Sequence, residues 1–374
     1  MVHLVQNTIR IGLLTPQSGP IGLFGPSSIN CAKLAADEIN SAGGLLGRPI
    51  SLVFGDAGGS PQTVVDKTSQ MIEGEHVQAI VGSHVSPNRE ALIRALGGRV
   101  PYVYTTQYEG GRYAFGVFMC GETPDQHLRP LIEWFRSNRD ARKWYVVGND
   151  YNFPRRSVRR AKDYIASVDG EIVGEEYLSL YTKDFHPVIE RIRKSGANAV
   201  LIYLIGTDSI IFNRQFGENA AVAHISRAAP VLCENTLMGI GPEHAEGLFS
   251  CVGFTNALNT PAGVAFRERY LASFGRFAPV PNRFGVSCYE GLHLLASLAA
   301  RAQSLNVYKL QAYADGARMS TPRGECAIRS NHLGAPVHIV RASGPNLSVL
   351  ESIGYRDAAS KNVSVHWSAT AGSA

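Results

Sequence analysis

The feature of this sequence that most constrains its fold is a regular alternation of short apolar strands with amphipathic helices. The predicted strands lie at residues 9–14, 50–54, 78–81 and 102–104, and the helices between them at 28–41, 61–73 and 87–96. Such alternation predicts a parallel, doubly wound sheet with right-handed crossovers. Ligands of such sheets bind in the loops at the carboxyl ends of the strands.

The same alternation occurs a second time after a polar stretch near residues 121–125. The second set of strands is predicted at 144–147, 172–177, 199–204, 230–233 and 248–254, with helices at 155–168, 185–195 and 208–218. Two further helices, at 262–274 and 282–302, are too long to extend this second sheet, so we expect them to return to the first lobe. The fold class is therefore α/β, with two Rossmann-like lobes and a ligand cleft between them.

The lobe boundaries follow from this pattern. The first lobe is expected at residues 8–121 and 255–325, the second at 122–254 and 326–360, and a flexible tail at 361–374. Small antiparallel strands are expected at 326–329, 337–341 and 348–352. A chain of 374 residues with 45% hydrophobic composition has enough apolar material for more than one core.

Charge and cysteine content argue against several classes of function. The formal charge of +5 comes from scattered residues, and the densest basic cluster, at 155–160, has no interleaved aromatic residues, so no nucleic-acid binding is expected. No apolar run approaches the roughly 20 residues that a membrane-spanning helix needs, so no membrane insertion is expected. Six single cysteines without CxxC spacing favour reduced core thiols over a disulfide framework or a zinc site.

The beginning of the sequence leads directly into the first strand pattern, without a basic region, an apolar stretch or a small-residue cleavage site. We therefore expect a cytoplasmic protein. The alternative is a periplasmic or cell-surface protein from which an export signal was removed.

Motifs for nucleotide binding and for the common hydrolase mechanisms are absent from their required contexts. The glycine cluster at 43–47 follows a helix, which is typical of a helix stop rather than a phosphate loop. We expect no cofactor, no metal and no catalytic residue. An amide hydrolase that uses Cys233 beside Glu234 is the enzymatic alternative, but no motif supplies its base and oxyanion site.

Polar residues instead gather where predicted strands end. Ser86 is either a helix N-cap or a ligand contact, and the loop at 104–111 is unusually rich in hydroxyls and aromatic rings. The loop at 148–154 repeats this form in the second half with Tyr151, and Thr207 stands at another helix start. Capping explains Thr207 but not the tyrosines.

Several of these segments resemble a known family. The runs IGLLTPQSGP (11–20) and AADEIN (35–40) resemble those of type I periplasmic-binding proteins. The runs YTTQYEG (104–110) and GNDY (148–151), with Tyr181 after YLSL, look like the amide and urea receptor branch. That branch includes the amide-sensing regulators of bacterial amidase operons.

The resemblance implies that Ser86, Tyr104 and Thr106 of the first lobe and Tyr151 of the second enclose a small amide. His84 and the pair Cys233-Glu234 depart from the pattern of the branch. Glu234 would favour an NH-rich or cationic ligand if it faced the cleft, and a plain surface position is the alternative. The expected ligand-binding set is Ser86, Tyr104, Thr106, Tyr151, His84, Thr207, Cys233 and Glu234. Tyr104 and Tyr151 are expected to line the cleft rather than to fill a core.

The function implied by the resemblance is a non-enzymatic sensor that closes two lobes over a short aliphatic amide. Such a sensor regulates amidase gene expression through a protein partner, and we leave a homodimer open. The alternative is a solute-binding receptor of an ABC transporter for urea, short amides or branched-chain amino acids, whose partner is a permease. We expect uncharged amides or urea to bind more tightly than zwitterions.

Overall fold

The computed structural model describes residues 7–111 and 114–355, which form two α/β lobes, each built on one sheet. The first sheet has eight strands, in the order β11 (Arg318–Thr321), β12 (Gly324–Arg329), β13 (His332–Gly334), β5 (Val117–Met119), β4 (Tyr102–Tyr104), β3 (Ala79–Gly82), β1 (Ile9–Thr15) and β2 (Ile50–Asp56). Strands β1 to β5 are parallel, as predicted from the strand and helix alternation. The predicted two-lobed α/β fold is confirmed.

The second sheet has seven strands, in the order β15 (Asn346–Ile353), β14 (Val337–Ser343), β10 (Leu248–Val252), β9 (Ser226–Ala228), β8 (Ala199–Tyr203), β6 (Lys143–Asn149) and β7 (Glu171–Leu178). Strands β6 to β10 are parallel, whereas β14 and β15 form an antiparallel hairpin at one edge. The inner strands β8 and β10 are buried along their whole length and mainly apolar because helices cover the sheet, whereas the edge strand β7 carries three glutamates.

The helices are α1 (Gly25–Ser41), α2 (Pro61–Glu73), α3 (Ser86–Leu96), α4 (Pro124–Arg139), α5 (Asn152–Ala166), α6 (His186–Lys194), α7 (Gly206–Gly217), α8 (Glu234–Ile240), α9 (Pro261–Phe274), α10 (Arg283–Ala302) and α11 (Val307–Tyr313). Helix α4 was not predicted from the sequence, because it contains Pro130 and follows a polar stretch. A capping box between Thr123 and Gln126 begins α4. In the described part of the chain, no helix combines the length and apolarity that crossing a membrane requires.

Between residues 114 and 355 the chain passes from lobe to lobe three times: after β5, after β10 and between β13 and β14. A buried ionic cluster lies at these crossings. Arg323 contacts Glu122 at 2.7 Å and Glu290 at 2.5 Å, and Arg283 contacts Glu122 at 3.0 Å. Although burial alone would raise it, the two guanidinium groups lower the pKa of Glu122 to about 2. Two carboxylates therefore balance two cations at the junction of the lobes.

Two expectations about the strands need correction. Strands β12 and β13 belong to the first sheet, although residues from 326 onward are expected in the second lobe, because β13 pairs with β5 at His332 and Met119. Residues 230–233 form a turn rather than a strand, since Leu232 N–H donates to the carbonyl of Ala229. The strand of that region is β9, which starts four residues earlier, at Ser226. Residues 356–360 and the predicted tail at 361–374 lie outside the described residues.

Candidate ligand-binding cleft

A cleft between the two lobes contains about 410 Å³ of space that no protein atom fills, part of which is open to solvent. Its first-lobe lining consists of Ile21, Phe24, Ser83, His84, Val85, Ser86, Tyr104, Thr106, Gln107 and Phe284. Its second-lobe lining consists of Tyr151, Phe153, Ile205 and Val231. Most of these residues follow the carboxyl ends of parallel strands, where a sheet of this topology places its ligand.

The structure brings together five of the eight residues that the sequence predicts for ligand binding. Ser86, Tyr104, Thr106 and His84 line the first-lobe wall, and Tyr151 lines the wall opposite. The reason is topological, since β3 and β4 are neighbours in one sheet and their terminal loops meet at one edge. The ligand-binding role of these residues stays a prediction.

The polar groups of the first-lobe wall are largely bonded to one another. The Tyr104 hydroxyl donates to the carbonyl oxygen of His84 at 2.6 Å, and the hydroxyls of Ser83 and Thr106 are 2.9 Å apart. The Tyr102 hydroxyl lies 2.9 Å from His84 Nε2. Burial lowers the pKa of His84 to about 4, so its imidazole is neutral at neutral pH. These bonds fix the wall before any ligand arrives.

A buried ion pair stands behind this wall. The Ser86 hydroxyl donates to Glu109 Oε2 at 2.8 Å, and Arg89 Nη2 contacts Glu109 Oε1 at 2.8 Å. The Arg89 guanidinium also lies over the rings of Tyr104 and Tyr108, at 5.0 and 5.2 Å. Although burial opposes the shift, Arg89 lowers the pKa of Glu109. Neither member of the pair lines the cleft, so the wall itself stays uncharged.

Gln107 is one of the lining residues that were not predicted from the sequence, because the prediction selected the hydroxyls and aromatic rings of its loop. Gln107 is only 4% exposed, and neither its amide nitrogen nor its amide oxygen has a hydrogen-bond partner among the described residues. A buried amide without partners is destabilising by about 1–3 kcal/mol. A polar ligand in the cleft would offset this penalty. The available signal was an amide side chain between two aromatic residues at a strand end.

The second-lobe wall is mainly apolar. Tyr151 precedes α5, and its ring centroid lies 6.4 Å from that of Phe153. Burial, with Tyr104 and Glu109 nearby, raises the pKa of Tyr151 well above its usual value, so its hydroxyl stays protonated. Residues 7–111 and 114–355 provide no hydrogen-bond partner for that hydroxyl. This wall therefore offers one polar group and an apolar surface.

Three predicted residues do not line the cleft. Cys233 is fully buried in the core of the second lobe, 3.5 Å from the hydroxyl of Thr236. Glu234 is 2% exposed and accepts the backbone N–H of Asn256 at 2.6 Å, so it lies neither on the surface nor on the cleft wall. Thr207 is the second residue of α7, and its backbone N–H donates to the carbonyl of Pro20 on the first lobe at 3.4 Å.

Tyr104 also departs from expectation. It lines the cleft, but it is 1% exposed and packs in the core cluster that contains Leu92, Tyr102 and Tyr108. Its ring fills part of the first-lobe core, and only one side of it borders the cleft.

The described residues do not place a reactive thiol or a metal-binding cluster at the cleft. Burial raises the pKa of Cys233 to about 12, so the thiol that the hydrolase alternative requires is protonated at neutral pH. Within the described ranges, no group of three or more His, Cys, Asp or Glu residues is arranged to hold a metal ion. The site combines hydrogen-bonding groups with apolar walls, which is the chemistry of reversible binding.

Comparison with known proteins adds sequence relatives. Residues 8–345 match the family model described as periplasmic binding protein. Leu/Ile/Val-binding protein homolog 7 of Brucella abortus (strain 2308) is 26% identical over 289 residues, which cover 71% of each chain. Leu/Ile/Val-binding protein homolog 3 of Brucella melitensis is 23% identical over 303 residues, 79% of this chain and 80% of the relative.

Solved structures share the fold. One is the solute-binding protein of an ABC transporter from Rhodopseudomonas palustris HaA2, in complex with p-hydroxybenzoic acid. Its TM-score is 0.83 at 22% sequence identity, and the match covers 94% of this chain and 98% of the solved chain. Another is a branched-chain amino acid transporter substrate-binding protein from Streptococcus pneumoniae, in complex with isoleucine. Its TM-score is 0.80 at 18% sequence identity, and the match covers 93% of this chain and 99% of the solved chain. Since the family model matches nearly the whole chain and the two-lobed fold agrees, the chain belongs to the periplasmic binding protein family.

Proposed function

We propose that this protein is the solute-binding receptor of an ABC transporter, and that it delivers a small ligand to a permease from the periplasm or the cell surface. The cleft between the lobes carries this proposal, because two walls that close over a small ligand supply near-complete enclosure. Solved structures of the same fold belong to ABC transporter receptors. The cytoplasmic location expected from the sequence has no support from these relatives.

The ligand we propose is small and uncharged, with an amide or urea group. No charged side chain among the described residues lines the cleft. An α-amino acid brings an ammonium group, which costs several kcal/mol to bury without a partner. The nearest carboxylate behind the wall, Glu109, already accepts bonds from Arg89 and Ser86. The isoleucine seen in one relative therefore suits this cleft poorly.

Gln107 supports the choice of an amide over a carboxylate. Its side chain offers a donor and an acceptor side by side, and a primary carboxamide offers the complementary acceptor and donor. A carboxylate satisfies only the donor and leaves the buried oxygen of Gln107 unpaired, at a cost of about 1–3 kcal/mol. The stacked rings of Phe24 and Phe284, with centroids 4.3 Å apart, favour an apolar body on the same ligand.

Titration calorimetry with matched probes tests the proposal. We expect benzamide and isobutyramide to bind at least about tenfold more tightly than benzoate and isobutyrate, and isoleucine to bind most weakly. Gln107→Met should reduce the preference for amides, since methionine keeps the length of the side chain but removes the amide. Isoleucine binding more tightly than every amide would contradict the ligand class. Absence of binding by every solute in such a panel would contradict the receptor function itself.

A second candidate is the amide sensor that controls amidase expression through a protein partner. The gathering of Ser86, Tyr104, Thr106 and Tyr151 around one cleft favours it, since these are the residues that the amide-receptor motifs imply. Neighbouring genes distinguish the two roles. An adjacent amidase gene without a permease would favour the sensor, and adjacent permease genes would favour the receptor.

A further inference from the structure

At the rim of the cleft, outside its lining, an ionic contact joins the two lobes. Arg156 on α5 of the second lobe places Nη1 2.5 Å from Glu90 Oε1 and 3.1 Å from Glu109 Oε1, both in the first lobe. Asn152 at the start of α5 donates to Glu90 Oε2 at 3.1 Å. Both partners of the Glu90 carboxylate therefore lie on the opposite lobe. Such bonds form only while the lobes are together.

Glu109 connects this rim contact to the cleft. The same carboxylate accepts the hydroxyl of Ser86, which lines the cleft, and the guanidinium groups of Arg89 and Arg156. The Glu109 side chain is 3% exposed, so its position is set by these partners. The carboxylate that Arg156 contacts is therefore the same one that holds a lining residue of the cleft.

We propose that Arg156 is a closure latch, a positioning residue that favours the closed state through Glu90 and Glu109 without touching the ligand. The proposal rests on the receptor function proposed above. Ligand affinity in a two-lobed receptor includes the equilibrium between its open and closed states. A contact made only in the closed state raises the affinity for every ligand by the same factor.

The latch predicts a salt dependence that the cleft alone does not. An uncharged ligand against uncharged walls has little electrostatic contribution to its affinity. The side chain of Arg156 is 47% exposed, so its ion pairs are open to screening as the Debye length shrinks from about 10 Å at 0.1 M to about 3 Å at 1 M salt. Affinity for an uncharged ligand should therefore fall as salt rises.

The neighbouring arginine provides a matched control. Arg155 is 49% exposed and pairs with Asp150 of its own lobe at 2.6 Å, so its removal takes the same charge from the same helix without touching the first lobe. Benzamide, p-hydroxybenzoate and isoleucine serve as probes in calorimetry and stopped-flow binding. Arg156→Gln should weaken each probe that binds by about two- to tenfold, mainly through faster dissociation, and should abolish the salt dependence for benzamide. Arg155→Gln should leave the affinity and its salt dependence unchanged.

Wild-type affinity and salt dependence in Arg156→Gln, or equal losses in both variants, would overturn the latch. Small-angle scattering of the ligand-free proteins keeps the test independent of the probes. Arg156→Gln should have a larger radius of gyration than wild type and Arg155→Gln at 0.1 M salt. Equal radii in all three would also overturn the latch, even if no probe binds. Failure of every probe to bind, with the radius difference intact, would instead count against the receptor function.

Discussion

The two walls of the cleft differ in how their side chains are held. On the first-lobe wall, the hydroxyl of Tyr104 is bonded to the chain and that of Ser86 reaches a buried ion pair. On the second-lobe wall, Tyr151 and Phe153 are held by packing, and the Tyr151 hydroxyl has no partner among the described residues. The first wall is therefore set in advance to recognise a ligand, and the second is an apolar cover that completes the enclosure.

This difference has an energetic consequence. Removing a bonded polar group from the first wall leaves its partner unsatisfied in the protein, so the folded state is destabilised. Removing a group from the second wall takes away contact with the ligand and leaves the lobe intact. Substitutions on the two walls should separate stability from affinity.

The largest loss of ligand affinity is expected where the second lobe approaches the first lobe at Gly206. Gly206 has a φ of +51°, and a Cβ there would lie 1.7 Å from the carbonyl oxygen of Pro20 on the first lobe. Gly206→Ala should hold the lobes apart and lower ligand affinity at least about a hundredfold, roughly 2.7 kcal/mol. Calorimetry with the best-binding amide measures this loss.

Gly196→Ala is the matched control, because Gly196 has a φ of +73° and no atom within 4 Å of a built Cβ. Both substitutions strain the backbone by about 1–2 kcal/mol, but only the first obstructs closure. Full affinity in Gly206→Ala, or the same loss in both variants, would show that the second lobe does not need this approach to enclose the ligand.

Two tyrosine variants compare the walls directly. Tyr104→Phe removes the bond to the His84 carbonyl and should lower the free energy of unfolding by about 1–3 kcal/mol. Tyr151→Phe should leave stability unchanged and weaken ligand binding by about 0.5–1.5 kcal/mol. Thermal unfolding without ligand and calorimetry with ligand measure the two quantities. Urea is unsuitable as the denaturant because it is a candidate ligand. A stability loss confined to Tyr151→Phe would reverse our view of the walls.

The pH dependence of stability tests one side chain of the first wall, that of His84. Burial lowers the pKa of His84 to about 4, so the folded state favours the neutral ring, whereas the unfolded value is about 6.5. The stability from this group is present above pH 6.5 and is lost as the pH falls towards 4, by up to about 1.4 kcal/mol per pH unit. In His84→Gln, unfolding should take up as much as one proton fewer in that window. The midpoint temperature of thermal unfolding should therefore fall less steeply as the pH is lowered. An unchanged slope would mean that His84 is charged in the folded wall.

Much of this molecule could be predicted from sequence because the signals are local. The period of apolar residues identifies β1 to β4, and the segments at the ends of β3, β4 and β6 contain the five predicted residues that line the cleft. Other features depend on contacts between distant segments. Glu234 is buried at a lobe crossing, where it accepts the backbone N–H of Asn256, 22 residues away, and β13 pairs with the distant strand β5. The approach of Gly206 to Pro20 likewise has no sequence pattern, since it exists only between two closed lobes.

The central claim is that an uncharged ligand bound to a preformed first wall closes the second lobe over itself. Small-angle X-ray scattering during titration with benzamide and, separately, with isoleucine tests it most directly. We predict that benzamide reduces the radius of gyration of the wild-type protein and that isoleucine at the same concentration does not. Compaction by isoleucine alone would contradict the account.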